Sequence, residues 1–224
     1  MTSPAPMLTR TWSAVLFDLD GTIIDSAADI TASLAHTFST LGLPVPDDAT
    51  LRSYVGPPLT EVFGAGHGLE DALAEEAVAT YRAHYADHVL SSPVFPGVRG
   101  LLERLHAAGV PVALATSKPE HTARAVLDNA GLSEYFTVIT GATTDGTRAT
   151  KTAVVAEALR RLQAEGVDTS QSVMVGDRSH DTIGALANGV PTILVEWGYG
   201  SPAEADDAMA IVHSTDQLRG LLVG

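Results

Sequence analysis

The chain has no cysteine. Disulfides, thiolate zinc sites and a cysteine nucleophile are therefore excluded, and any catalytic metal must be held by oxygen or imidazole. Basic residues are scarce too: 13 Lys and Arg stand against 27 Asp and Glu in 224 residues, a formal charge of −14. Nucleic acid and anionic membranes recruit proteins through clustered cations, so this balance disfavours both as partners. A solvated acidic surface accounts for most of the charge. No apolar run is long enough to cross a bilayer, and residues 1–11 lack the apolar segment of a secretory leader, so a cytoplasmic location is expected. Internal repeats and low-complexity segments are missing as well. At 45% hydrophobic and 18% charged, the composition is that of a folded chain. Its length admits one substantial core with an insertion, not two full-sized domains.

What is present is a series of short apolar runs that stop at polar residues. Residues 12–17 (WSAVLF) stop at Asp18, residues 110–115 at Thr116, residues 173–175 at Gly176-Asp177 and residues 192–195 at Glu196, with a further short run at 138–139. Each reads as a buried strand. Between them, residues 98–108, 120–130, 152–165 and 181–188 are helix-like and are followed by Gly109, Gly131, Gly166 and Gly189, the expected stop signal. Alternation of strand and helix predicts a Rossmann-like α/β core, a parallel sheet with helices on both faces, to which the strand at 12–17 belongs. Residues 25–92 break the alternation. Ile30, Leu34, Phe38 and Leu41, then Leu69, Leu73, Tyr81 and Tyr85, recur at helical spacing with no strand signal. This predicts an all-helical insertion at 25–92 in a core made of 1–24 and 93–224.

Ligands of parallel sheets gather at the carboxyl ends of the strands, which selects Asp18, Asp20, Thr116, Ser117 and Asp177, with Lys151 at a helix start. Asp18 and Asp20 lie two apart, so an extended backbone aims both the same way, and Gly21 permits a sharp turn beyond them. With Asp177 they make a hard oxygen site suited to Mg²⁺, which keeps water and substrate phosphate among its ligands. Taken singly, each feature has an ordinary alternative. Asp-x-Asp-Gly is also a common turn, a lysine near a helix start is usually solvated, and Asp181 suits a helix N-terminus on charge alone.

The complete set, in order, resembles the haloacid dehalogenase-like phosphohydrolases, in the phosphoglycolate phosphatase-like branch with a helical cap inserted after the first motif. The residues concerned are Asp18-Leu19-Asp20-Gly21-Thr22 with Asp25-Ser26, then Leu114-Ala115-Thr116-Ser117-Lys118-Pro119, Lys151, and Gly176-Asp177-Arg178-Ser179-His180-Asp181. The resemblance implies that Asp18 is the nucleophile and Asp20 the general acid and base. It implies that Thr116, the Ser117 amide and Lys151 bind the phosphoryl oxygens, and that Asp18, Asp20 and Asp177 hold Mg²⁺ with Asp181 supporting Asp177 or Lys151. The cap is expected to open and close over the site. Arg52, Lys118, Arg178 and the turn Gly56-Pro57-Pro58-Leu59 are candidates for facing the substrate, with ordinary surface placement as the alternative. His84 and His88, four apart on a helix, have metal-ligand spacing, though exposed helix histidines need no such explanation. Lys151 is followed by Thr152, where many relatives have proline, and the Asp20 position lacks aspartate in the dehalogenases themselves.

The expected function is Mg²⁺-dependent hydrolysis of a small-metabolite phosphomonoester, phosphoglycolate-like or a nucleotide or sugar phosphate, through an aspartyl phosphate. Alternatives are a phosphomutase resembling β-phosphoglucomutase, and a catalytically inactive phosphate-binding regulatory protein. The expected partner is the phosphorylated metabolite, and the expected state a monomer or small homo-oligomer.

Overall fold

The computed structural model describes residues 12–223, so the leader expectation for residues 1–11 lies outside the described residues. Six strands, β1 (Ala14–Phe17), β2 (Val112–Pro119), β3 (Val138–Ala142), β4 (Ser172–Gly176), β5 (Thr192–Val195) and β6 (Ala210–Val212), form one sheet in the order β3-β2-β1-β4-β5-β6. All neighbours are parallel. This is the doubly wound order whose crevice opens at the carboxyl ends of the central strands. β1 sits in the middle, with Phe17 opposite Leu114 on one side and Val175 on the other, so Asp18 emerges at the centre of the edge.

Strand residues point alternately to the two faces, and both faces are apolar. Ala14, Leu16, Ala113, Ala115 and Met174 pack with Val154, Val155, Ala158 and Leu162 of α6 (Lys151–Ala164) and Ala185 of α7 (Ser179–Leu186). Val15, Phe17, Val112, Leu114, Val173 and Val175 face the other way. They join Leu102 and Leu105 of α4 (Val98–Ala107), Leu127 of α5 (Glu120–Asn129) and Leu218 of α8 (Thr215–Val223). Each such side chain contributes about 1.5–3 kcal/mol by leaving water, which is why runs of only four or five residues suffice to fix strands. On the sheet face that meets α6, the helix that carries Lys151, three of the five strand residues named are alanines.

Between β1 and α4 the chain makes only helices: α1 (Ala27–Thr40), α2 (Asp48–Ser53), one π-helical turn (Glu61–Gly66) and α3 (Asp71–Ala86). Leu34 and Phe38 of α1 are buried with Phe63 of the π turn and Tyr81 and Tyr85 of α3. The insertion enters and leaves side by side, through an antiparallel bridge between Ile24 and Val94 and a 2.8 Å bond from the Asp25 amide to the Pro93 carbonyl.

Some bounds differ from the sequence pattern. β2 runs past Thr116 to Pro119, with its register against β3 broken between those residues, because the strand bulges where its polar residues begin. α3 ends at Ala86 instead of Leu90. β6 and α8 have no counterpart in the pattern: three residues with Ile211 exposed leave too faint a period-two signal. No helix among the described residues is long and apolar enough to cross a membrane.

Candidate active site

The turn after β1 folds on one carbonyl. Leu19 O accepts from the amides of Ile23 and Ile24, both at 2.9 Å, which packs the turn beneath the sheet edge. Gly21 has φ +82°, and a Cβ there would stand 2.2 Å from Asp177 Oδ2. Only glycine satisfies both the left-handed backbone and the approach of that carboxylate. Asp177, after β4, is held by the Tyr199 amide at 2.7 Å on Oδ2 and by the Thr22 hydroxyl at 3.4 Å on Oδ1.

Lys151 is the first residue of α6. The Thr150 hydroxyl caps this helix by accepting from the Ala153 amide at 3.2 Å, so the start that a proline at Thr152 would pre-set is supplied by a cap. The Lys151 side chain runs under α7, where a Cβ on Gly184 would lie 2.6 Å from its Cγ. Its ammonium ends 2.8 Å from Asp18 Oδ1 and 2.7 Å from Asp181 Oδ1, and donates to the Ala115 carbonyl at 3.1 Å. Asp181 spends its other oxygen on the amides of Asp177 and Arg178, both at 3.1 Å.

Asp18, Asp177 and Asp181 are all buried and each offers an oxygen within 4.8 Å of the others. Three carboxylates are thus gathered together, and the Lys151 ammonium pairs with two of them. Burial pushes Asp18 up to about 6, against the pull of Lys151 and with the push of Asp181. Burial, then Asp181 and Asp18, raise Asp177 well above the usual carboxylate range. Burial alone would lower Lys151, but Asp18 and Asp181 more than offset it and hold it charged. The cluster is thus short of positive charge, and its donors are hard oxygens, the chemistry a Mg²⁺ site needs. Asp18, Asp177 and Asp181 each offer an oxygen to such an ion, and Asp181 also holds the amides of Asp177 and Arg178.

Asp20 does not join them. Its carboxylate accepts from the Ser26 hydroxyl at 2.6 Å and is paired with Lys118 at 2.8 and 2.9 Å. Among the described residues the carboxylates close enough to share an ion are Asp18, Asp177 and Asp181, without the expected Asp20. The remaining donor of Lys118, a candidate for facing the substrate, meets the Tyr85 hydroxyl at 2.8 Å. Burial, then Asp20 and Asp29, push the Tyr85 phenol above its usual range. Thr116 is buried at the strand end, where its hydroxyl accepts from the Lys118 amide at 3.2 Å. Ser117 and Lys151 line a cavity of about 170 Å³ that Pro58 and Glu61 of the insertion overhang.

Arg52 is exposed on α2 and does not reach the cluster. Arg178 is turned to the insertion, donating to the Val55 carbonyl at 2.5 Å and to Glu204 at 2.9 Å. His84 stacks on His36 at 4.2 Å and shares a 3.0 Å bond with Ser33, while the His84 and His88 rings lie 5.2 Å apart. Sequence reasoning missed Tyr85, Tyr199, Glu204 and Ser26 as positioning groups. Tyr199 had a signal: Trp197-Gly198-Tyr199-Gly200 follows β5 after Glu196, and its phenol also donates to Asp25 at 2.9 Å.

Burial of Glu204 opposes its charge, but the Ser179 amide and Arg178 more than offset this and depress it from 4.5 to about 2. A carboxylate with a depressed folded value stabilises above its unfolded value and loses that contribution as pH falls through the folded one. Glu204→Gln is therefore expected to lower the urea midpoint at neutral pH, with the difference shrinking from pH 4.5 toward 2. A difference that persists unchanged at pH 2.5 would contradict this.

A doubly wound sheet that brings Asp18, Lys151, Asp177 and Thr116 to one edge defines a phosphoryl-transferring hydrolase of the phosphatase kind. Comparison with known proteins agrees. The model of the haloacid dehalogenase-like hydrolases matches residues 15–195. The chain is 43% identical over 213 residues to tyrosine-protein kinase PtkA of Mycobacterium tuberculosis, covering 93% of this chain and 72% of that one. It is 38% identical over 191 residues to a 5'-nucleotidase of Pseudomonas aeruginosa, covering 85% of each. The crystal structure of a predicted phosphatase from Clostridium acetobutylicum superposes with a TM-score of 0.86 at 35% identity, covering 93% of this chain and 97% of that one. The chain belongs to the haloacid dehalogenase-like hydrolases, in the branch it shares with several phosphoglycolate phosphatases.

Proposed function

We propose that the protein is a Mg²⁺-dependent phosphatase that hydrolyses a small-metabolite phosphomonoester through an aspartyl phosphate on Asp18. The observation that carries this reading is the Lys151 ammonium 2.8 Å from Asp18, at a strand end where Asp177 is also buried. Asp18 attacks phosphorus while the ester oxygen departs with a proton from Asp20; water then attacks the acyl phosphate and Asp20 takes the proton back. Lys151, Thr116 and the Ser117 amide hold the equatorial oxygens, where charge must be stabilised throughout transfer. Mg²⁺ held by Asp18 and Asp177 would add the positive charge that lets a carboxylate approach a phosphate. The helical insertion at 25–92 serves as the cap over the core of 1–24 and 93–224, with Pro58 and Glu61 at its mouth.

A second reading rests on the similarity to a protein named a tyrosine-protein kinase. In that case the acceptor is a tyrosine phenol and the donor a nucleoside triphosphate. One experiment separates the two. The protein is incubated with glycolate, sugar, nucleoside and aryl monophosphates, and in parallel with ATP and a tyrosine peptide, each with Mg²⁺ and with a chelator. Phosphate release from monoesters is expected, lowered at least about tenfold by chelation and restored by Mg²⁺. Transfer to the peptide with no release from any monoester would favour the kinase reading instead.

A further inference from the structure

Three separate segments meet at one buried ammonium. Lys118 Nζ reaches Asp20 Oδ1 at 2.9 Å, Asp20 Oδ2 at 2.8 Å and the Tyr85 hydroxyl at 2.8 Å, with its side chain 6% exposed. A lysine has three N–H donors, and these three acceptors account for all of them. A buried ammonium tolerates no lost partner cheaply, so its orientation is dictated by the three together. Asp20 belongs to the turn after β1 and Lys118 to the bulged end of β2, whereas Tyr85 comes from α3 of the helical insertion. The Tyr85 ring is itself fixed, buried and stacked on Tyr81 with centroids 5.4 Å apart. Its hydroxyl therefore stands wherever the insertion places it.

We propose that Tyr85, acting through Lys118, is a positioning residue that sets the orientation of Asp20 for proton transfer to the departing oxygen. The proposal rests on the phosphatase reading and extends it, since the insertion then contributes to the chemistry as well as to the mouth of the site. Without the phenol oxygen one N–H of Lys118 has no acceptor. The ammonium turns toward another, and Asp20, otherwise held only by Ser26, follows it. The loss falls on substrates whose leaving group needs a proton. An alkoxide departs poorly without one, whereas a nitrophenolate is stable as the anion.

The test is kcat/KM, which reports steps up to cleavage of the first P–O bond, for p-nitrophenyl phosphate and for the alkyl phosphomonoester that the parent turns over fastest. Tyr85→Phe is expected to widen the aryl-to-alkyl ratio about tenfold, a fraction of what a placed general acid supplies. Lys118→Met is expected to widen it at least as much, and the double variant no further than Lys118→Met alone, because both act along one chain of contacts. A residue that merely braces the insertion would lower both substrates equally. An unchanged ratio in Tyr85→Phe, or additive effects in the double variant, overturns the proposal while leaving the phosphatase reading intact. A parent that hydrolyses neither ester overturns both.

Discussion

Asp18→Asn is expected to lower phosphate release by about a thousandfold or more and, in the metal-free protein, to raise the melting temperature. The first effect follows from removing the nucleophile: an amide oxygen does not form the acyl phosphate, and residues that act as a unit lose most of their effect together. The second follows from the charge count at the sheet edge, where three carboxylates are buried together and Lys151 pairs with two of them, Asp18 and Asp181. Burial has pushed Asp18 up to about 6 from its ordinary 3.8, so its ionised form is a net cost to the metal-free fold at neutral pH. A raised carboxylate withdraws its cost as pH falls through the folded value. The gain in melting temperature should accordingly be largest above pH 6 and fade toward 3.8. A gain of a few degrees corresponds to about 1 kcal/mol in a chain of this size. Retained turnover in the variant removes Asp18 as nucleophile; a lower melting temperature at pH 7.5 removes the account of excess buried charge.

Lys151→Met should have the opposite effect on stability and a comparable one on activity. Methionine keeps the length and the apolar stem but leaves Asp18 and Asp181 facing one another without the ammonium now 2.8 and 2.7 Å away. Breaking a buried ion pair by removing one partner typically costs about 3–5 kcal/mol, or roughly 10 °C at this chain length. The orphaned carboxylates then bind protons more readily folded than unfolded, so the deficit against the parent should narrow between pH 8 and pH 5. Turnover should fall by about a hundredfold or more, since the phosphoryl oxygens lose their lysine. Thermal melts at the two pH values, beside phosphate-release assays, check both parts. A variant as stable as its parent at pH 8 would mean that Lys151 does not neutralise the cluster.

The opposite signs of these two substitutions could not be read from the sequence, although both residues could. Asp18, Thr116 and Asp177 were legible because each ends a run of apolar residues, and a parallel sheet must place such ends on one edge. Lys151 was legible only from its order among those motifs; nothing local to residues 150–152 distinguishes it from a solvated lysine. Tyr85 was visible as one of a helical series, so it registered as core, while its hydroxyl went unseen.

The amino-acid order by itself determined the alternation of the first five strands with their helices and which polar groups follow them, because those come from periods of two and 3.6 along a continuous chain, while β6 and α8 left no such signal. Only the tertiary structure decided partners: that Asp20 belongs to Lys118, 98 residues away, that Asp181 belongs to Lys151, and that Arg178 turns to Glu204 and the insertion. Those choices are made by donors and acceptors competing for position in a buried space assembled from distant segments, and periodicity along the chain carries no record of that competition.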